Sequence, residues 1–262
     1  MRTFKILLSL CVYAFFLGCG TGENALNLFT LEDDIALGAQ VKNEIEGDSS
    51  ELSVMDSSLN PKIYSYLYEI RNELLNSGQI KYKNEFPWRI RIIKDDSTIN
   101  AFCAPGGYIY IYTGILKYLE AEDQLAGVMG HEMGHADLRH TTRQLTEMYG
   151  VQTLIGIIAG DREGIKQISS ALIGLSFSRS HEREADESSV KYLCPTSYTA
   201  DAAALFFEKI SREGSGRIPE ILSTHPDPGN RIEAFHANKS ALGCQGTNTN
   251  KERYQQMMKL LP

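Results

Sequence analysis

At residues 131–135 the chain reads His131-Glu132-Met133-Gly134-His135, and this stretch constrains the fold more than any other. In a helix, at about 100° per residue, positions four apart differ by roughly 40°, so both imidazoles leave one face and can grip a single tetrahedral ion. Glu132 then stands beside that ion, where a general base is needed. With six histidines and 33 acidic residues in 262 positions, random placement gives about 0.02 such patterns per chain, so context has to separate a site from a solvated helix face. The context is helical. From Glu122 onward Leu125, Val128, Met129, Met133 and Ala136 recur at three- and four-residue steps, the period of a buried stripe. No proline or run of turn residues interrupts it before about Leu145.

Two histidines leave the coordination incomplete. The extended pattern HExxHxxGxxH needs glycine at 138 and histidine at 141, but Leu138 and Thr141 stand there, which excludes a metzincin. A deformylase-like cysteine ligand has no support either, because the nearby upstream Cys103 lies in Phe-Cys-Ala-Pro. The remaining option is a glutamate from a second helix, and Ser178-Arg179-Ser180-His181-Glu182-Arg183-Glu184-Ala185-Asp186 supplies candidates. Glu182 and Asp186 are one turn apart, so Glu182 can bind the metal while Asp186 accepts a hydrogen bond from a ligating histidine and fixes its tautomer. Glu184 points elsewhere and reads as part of a solvated face.

Four segments together resemble a known family, the zinc metallopeptidases (gluzincins) that include the bacterial protease HtpX, the CAAX prenyl endopeptidases and small bacterial lipoprotein peptidases. In family order they are Asn100-Ala101-Phe102 with Pro105-Gly106-Gly107, then HEMGH, then SRSHEREAD, then Ser223-Thr224-His225-Pro226 followed by Arg231-Ile232. The likeness runs from about residue 30 to 262. It implies an α+β fold, a mainly helical zincin-like (minigluzincin) domain with a small antiparallel β-meander beside the HExxH helix. It also implies one Zn2+ per chain on His131, His135 and Glu182, with Glu132 as general base and Asp186 behind a ligating histidine. Asn100, Ala101 and Phe102 match a strand beside the family's active-site cleft, where an extended substrate can add as a further strand held by main-chain hydrogen bonds. His225 is placed near the zinc, either as a donor to the developing oxyanion or as a fourth ligand that shuts the enzyme. Misfolded or unassembled cell-envelope proteins are the implied substrates, and hydrolysis of their peptide bonds the implied reaction. The rival reading is a latent, zinc-bound chaperone or assembly factor of the envelope. Glu132 argues against it, since a pure binding module has no chemical need of a base.

The first residues read as a leader. Arg2 and Lys5 precede an apolar stretch from Ile6 to Leu17, too short to span a bilayer but suited to a secretory signal. It ends in Phe16-Leu17-Gly18-Cys19, which looks like a lipobox with Cys19 as the lipidated residue, although Phe16 departs from the usual leucine. The expected organisation is a lipoprotein signal peptide at 1–18, a tether at 19–29, the catalytic domain at 30–244, and a linker with a short helix at 245–262. The protein is then exported and anchored to the envelope through a lipid, facing the periplasm. Formal charge is −7, and loss of Arg2 and Lys5 with the leader takes it to −9, which argues against nucleic acid as a partner. Export permits disulfides among Cys103, Cys194 and Cys244. Three pairings are open, and Cys194 with Cys244 is the favoured one.

A coarse pass places a capped helix from about Leu31 to Ile45, marked by Thr30 and Asp33, and a second opening at Asn60-Pro61 with Ile63, Leu67, Ile70 and Leu74 inward. Residues 46 to 59 read as loop. Trp88 to Ile93, Thr98 to Cys103 and Tyr108 to Thr113 read as the meander, turning at Ala104-Pro105-Gly106-Gly107. Alternating Tyr108, Tyr110 and Tyr112 with Ile109 and Ile111 suggests a half-buried strand. The apolar run Val151 to Ala159 is under half a bilayer span and reads as a helix packed over the active site. His140, His181 and His236 read as surface or satisfied polar residues. Asp227-Pro228 reads as the cap of a last core helix carrying Arg231.

Overall fold

The computed structural model describes residues 26–47, 52–213, 219–227 and 229–262. The expected leader and the Cys19 lipidation position lie outside the described residues. Local chemistry sets the first two helices. Thr30 and Asp33 cap each other, the Asp33 N–H donating to Thr30 Oγ1 at 3.1 Å and the Thr30 N–H to the Asp33 carboxylate at 2.8 Å, and open α1, Leu31–Ile45. Pro61 starts α2, Pro61–Leu75, where its missing N–H costs nothing.

Three strands follow: β1 Arg89–Ile93, β2 Ala101–Ala104 and β3 Tyr108–Tyr112. β2 and β3 form the expected antiparallel hairpin, turned by Gly106 and Gly107 at φ 72° and 79°. β1, however, pairs parallel with β3, in the order β1-β3-β2, so the sheet is mixed and the expected meander is corrected. The reason lies in β3. All five of its residues are buried, not half of them. Ile109 and Ile111 pack with Leu67 and Met129 on one side, and Tyr108, Tyr110 and Tyr112 with Leu37, Val41 and Leu145 on the other. β3 thus takes the centre of the sheet, hydrogen-bonded to β1 and β2 and covered on both faces, where a meander would put β2.

The helices that follow are α3 Thr113–Tyr118, α4 Glu122–Asp137, α5 His140–Met148, α6 Val151–Ile158, α7 Arg162–Ile173, α8 Arg179–Leu193, α9 Ala203–Glu213, α10 Ile221–Thr224, α11 Arg231–Leu242 and α12 Lys251–Met258. Every residue of α4 is buried, so the apolar stripe read from its periodicity is only one of its covered faces. β2 and β3, α8 and α9 each pack on it. α4 also ends sooner than about Leu145. Arg139 takes the left-handed conformation at φ 60°, held there by its guanidinium on Asp34 and on the carbonyls of Phe29 and Thr30. The Asp137 carboxylate at the same end accepts the N–H groups of Lys81 and Tyr82 at 3.0 and 2.8 Å. α6 packs against α1 and α7. No helix among the described residues is long and apolar enough to cross a membrane.

Cys194 and Cys244 form a disulfide, the favoured pairing, and Cys103 is a buried free thiol. The C-terminal segment is tied to the core, because Tyr254 of α12 is buried and its hydroxyl donates to the Leu116 carbonyl.

Close approach of α4 and α8 rests on glycines. A methyl group added at Gly134 would lie 3.0 Å from Ser188 Cβ and 3.2 Å from the Ala185 carbonyl oxygen. At Gly130 it would lie 3.0 Å from Leu193 Cδ1 and 3.1 Å from Ser189 Oγ. Gly134→Val is therefore expected to destabilise the fold by about 1–3 kcal/mol through overpacking and to weaken metal binding by pushing away the turn that carries Glu182 and Asp186. A thermal melt and a zinc titration of the variant check both.

Candidate metal centre

Because α4 and α8 touch along their length, residues far apart in sequence converge at one buried point. His131, His135, Glu182 and His225 each offer a ligand atom, all within 4.8 Å of one another, and all four residues are buried. The Nε2 atoms of His131 and His135 are 3.0 Å apart. Glu182 Oε1 is 3.3 Å from His135 Nε2, and Oε2 is 3.5 Å from His131 Nε2. His225 follows α10 and brings its Nδ1 to 3.0 Å from Glu182 Oε1 and 3.2 Å from His131 Nε2.

Behind the donors lies a second layer. His131 Nδ1 is 2.9 Å from Asp186 Oδ1, the bond expected from the one-turn spacing of Glu182 and Asp186. Arg231 finds its partners here: Nε donates to Asp186 Oδ2 at 2.7 Å, and one terminal nitrogen donates to both Asp186 Oδ1 and Glu182 Oε2 at 2.8 Å. Its other terminal nitrogen donates to the His225 carbonyl at 3.2 Å. His135 Nδ1 meets His140 Nδ1 at 3.0 Å, and His140 Nε2 meets Glu184 Oε2 at 3.0 Å. Glu184 thus does not stand free on a solvated face as its position in the helix suggested. α5 folds back across the end of α4, so the face of α8 turned from the donors meets His140. His140 and His181 are buried and their rings stack at 4.3 Å, while His236 pairs with Asp201 at the surface. Sequence spacing held no sign of the His135–His140–Glu184 contact, since the left-handed break at Arg139 destroys the helical period that would relate them.

Electrostatics separate the two glutamates. Burial pushes Glu132 up to about 7, with only partial relief from His225. Burial also works to raise Glu182, but His225, His135 and His131 outweigh it and hold Glu182 well below the usual carboxylate range. Burial draws His131 and His135 well below their ordinary value, which leaves both rings neutral and able to act as ligands. For His225 burial pulls down, yet Glu182 and Glu132 hold it at about 9. The carboxylates that favour a proton on that ring would equally favour a metal cation beside it.

The donor set fits zinc. Ligand atoms about 2.0–2.1 Å from a tetrahedral centre lie about 3.3 Å from one another, and the observed separations of 3.0, 3.3 and 3.5 Å bracket that value. Both Glu132 carboxylate oxygens and His225 Nε2 are buried without a hydrogen-bond partner among the described residues. Buried polar atoms are rarely left so.

Asn100, Ala101 and Phe102 lie at the β2 edge, all buried. The Tyr112 N–H donates to the Asn100 carbonyl at 3.2 Å, so by antiparallel alternation Ile99 and Ala101 present their main-chain groups outward. The chain's own groups occupy that edge. The Ile221 N–H donates to the Ile99 carbonyl at 3.1 Å, the Ala101 N–H to Asn100 Oδ1 at 2.9 Å, and Thr224 Oγ1 to Asn100 Oδ1 at 3.3 Å. Phe177 covers the centre, its ring stacked on His135 at 4.0 Å. Asp227 accepts the Gly229 N–H at 2.8 Å and so closes the turn ahead of α11, whose own N-cap is Asn230.

The model of peptidase family M48 matches residues 61–239. The chain is 30% identical over 141 residues to the mitochondrial metalloendopeptidase OMA1 of Arabidopsis thaliana, covering 53% of this chain and 29% of that protein. It is 29% identical over 188 residues to a putative beta-barrel assembly-enhancing protease of Vibrio cholerae, covering 66% and 38%. With the beta-barrel assembly-enhancing protease of Escherichia coli it shares 25% identity over 227 residues, covering 80% and 45%. The chain therefore spans less than half the length of each of these relatives. A matched segment that holds α2, the sheet, HEMGH, SRSHEREAD and STHP together leads to one conclusion: the chain belongs to peptidase family M48.

Proposed function

We propose that the chain is a zinc-dependent endopeptidase that hydrolyses misfolded or unassembled proteins of the cell envelope, with Glu132 as general base. One observation carries this reading: a fully buried carboxylate with no hydrogen bond, 3.6 Å from His225 Nε2, beside three converging metal donors. A chaperone gains nothing from such a group, and its burial costs stability. His131, His135 and Glu182 would hold the zinc, with Asp186 orienting His131. When bound, zinc supplies a Lewis acid that polarises a peptide carbonyl and brings the pKa of water down to about 7. Glu132 takes the proton of the attacking water and returns it to the leaving amine, a task suited to a group held near 7. Residues 100–102 would offer the β2 edge to an extended segment, which reads backbone and suits unfolded chains of many sequences.

His225 is proposed as a gate. Its ring lies within the donor set, and its own segment occupies the edge that a substrate strand would need. As a fourth ligand it would close the coordination in the manner of a structural zinc site. An exported protease of broad backbone specificity endangers its neighbours unless it rests closed.

For address, we propose export with lipid anchoring at Cys19, facing the periplasm. The apolar leader ending at Gly18-Cys19 supports it, as do relatives named for enhancing β-barrel assembly, since barrels of that kind belong to outer membranes. The catalytic domain would span residues 30–244.

Glu132→Gln is expected to keep one zinc per chain and to lose casein cleavage, whereas Glu182→Ala is expected to lose zinc affinity. Wild-type digestion by Glu132→Gln would end the peptidase mechanism. His225→Ala, zinc-saturated, is expected to digest casein faster than wild type. A fall of roughly 100- to 1,000-fold would instead assign His225 to oxyanion stabilisation. Metabolic labelling with palmitate is expected to tag the protein, and Cys19→Ser to abolish the tag. Persistent labelling would refute lipidation at that cysteine.

A further inference from the structure

We propose that His140 and Glu184 form an outer hydrogen-bond chain that holds His135 in the tautomer a metal requires, and so set the metal affinity of the centre. The proposal rests on the metal-centre reading above and concerns positioning residues that touch neither metal nor substrate.

The argument is one of proton placement. His135 Nε2 faces His131 Nε2 at 3.0 Å and Glu182 Oε1 at 3.3 Å. To serve as a ligand it must present a lone pair, which puts the ring proton on Nδ1. That Nδ1 lies 3.0 Å from His140 Nδ1, so His140 must accept there and carry its own proton on Nε2. His140 Nε2 in turn lies 3.0 Å from Glu184 Oε2, and an ionised carboxylate can only accept. The chain therefore has one self-consistent polarity, set from its outer end. With the polarity reversed, a lone pair on His140 Nε2 would face the carboxylate, and the His135 proton would point at the metal position.

Packing removes the escape of ring rotation. His140 stacks on His181 with centroids 4.3 Å apart and planes 18° apart, and His135 stacks on Phe177 at 4.0 Å and 21°. His135 and His140 are fully buried, while the Glu184 side chain is 24% exposed. The two ligating histidines thus lean on α8 in different ways. His131 bonds directly to Asp186, already paired with Arg231. His135 reaches its carboxylate only through a second imidazole. Outer partners of this kind are worth about 10–100-fold in metal affinity.

The test is zinc affinity of the purified full chain, measured by competition with a chromophoric chelator. Glu184→Ala and His140→Phe are each expected to weaken binding by about 10–100-fold, and the double variant by no more than the weaker-binding single variant, because both act through one chain. His140→Asn places an amide oxygen where Nδ1 stood and is expected to recover a large part of the His140→Phe loss. Nitrogen-15 spectra of zinc-loaded wild type are expected to show the His135 proton on Nδ1. Wild-type affinity in Glu184→Ala, independent losses that multiply in the double variant, or His140→Asn no better than His140→Phe would each overturn the proposal. Should His140→Phe fail to fold, Glu184→Ala, at a partly exposed side chain, decides alone. Wild-type protein that takes up no zinc would overturn the metal centre itself, whereas zinc bound by wild type and all variants alike overturns only the outer chain.

Discussion

Glu182 and Asp186 sit one turn apart on α8 in the interior, and the guanidinium of Arg231 is what makes that arrangement tolerable. It is 3% exposed and bonds to both carboxylates. Removing one partner from a buried ion network costs about 3–5 kcal/mol, because the charge left behind has neither water nor counter-ion. Three features depend on this single side chain: the position of a candidate metal donor, the orientation of the acid that meets His131 Nδ1, and, through its bond to the His225 carbonyl, the course of the loop after α10. Arg231 belongs to α11, so the last third of the chain is as much a part of the site as HEMGH.

Local rules made some of this legible in the sequence. The Thr30–Asp33 cap, Pro61 at a helix start, and the helical phase of His131 with His135 and of Glu182 with Asp186 depend on neighbours within one turn, and each appears where the pattern put it. What depends on distant partners was not legible. Parallel pairing of β1 with β3 joins strands whose order no local pattern sets, and an alternating Tyr-Ile strand looks the same whether its tyrosines face water or α1. The end of α4 at Asp137 needs Asp34 and the carbonyls of the α1 entry to hold Arg139 left-handed. Gly130 and Gly134 look like weak points in a helix and are instead the places where α8 comes closest. Arg231 could be suspected of holding a carboxylate, but only the fold says which two.

A helix with no exposed face has consequences for precision. All 16 residues of α4 are buried, so neither imidazole can adjust by tilting its helix toward solvent, and the donor separations are set by packing on all sides. Such rigidity suits a site in which Glu132 would stand close to a bound metal without ligating it, with His225 Nε2 held 3.6 Å from its carboxylate. The cost of burying that carboxylate without a hydrogen bond falls on the fold, and the contacts of α4 with α8, α9 and the sheet are where it is offset.

The loop that carries His225 couples two events that could have been separate. Ile221 takes the Ile99 carbonyl, Thr224 leans on Asn100, and His225 one residue later enters the donor set. An incoming extended segment would compete for that same Ile99 carbonyl. On the reading proposed above, a substrate bond to the Ile99 carbonyl is one that the loop gives up, while the Ala101 N–H and Cys103 carbonyl further along β2 are held by Asn100 and Thr141. Substrate binding would then favour the arrangement in which the loop carrying His225 has left the β2 edge, and it could shift the balance only by its differential affinity for that state. A short or folded competitor that cannot lie along the strand gains none of these bonds. Discrimination against folded neighbours thus follows from the geometry of the edge and requires no recognition of sequence.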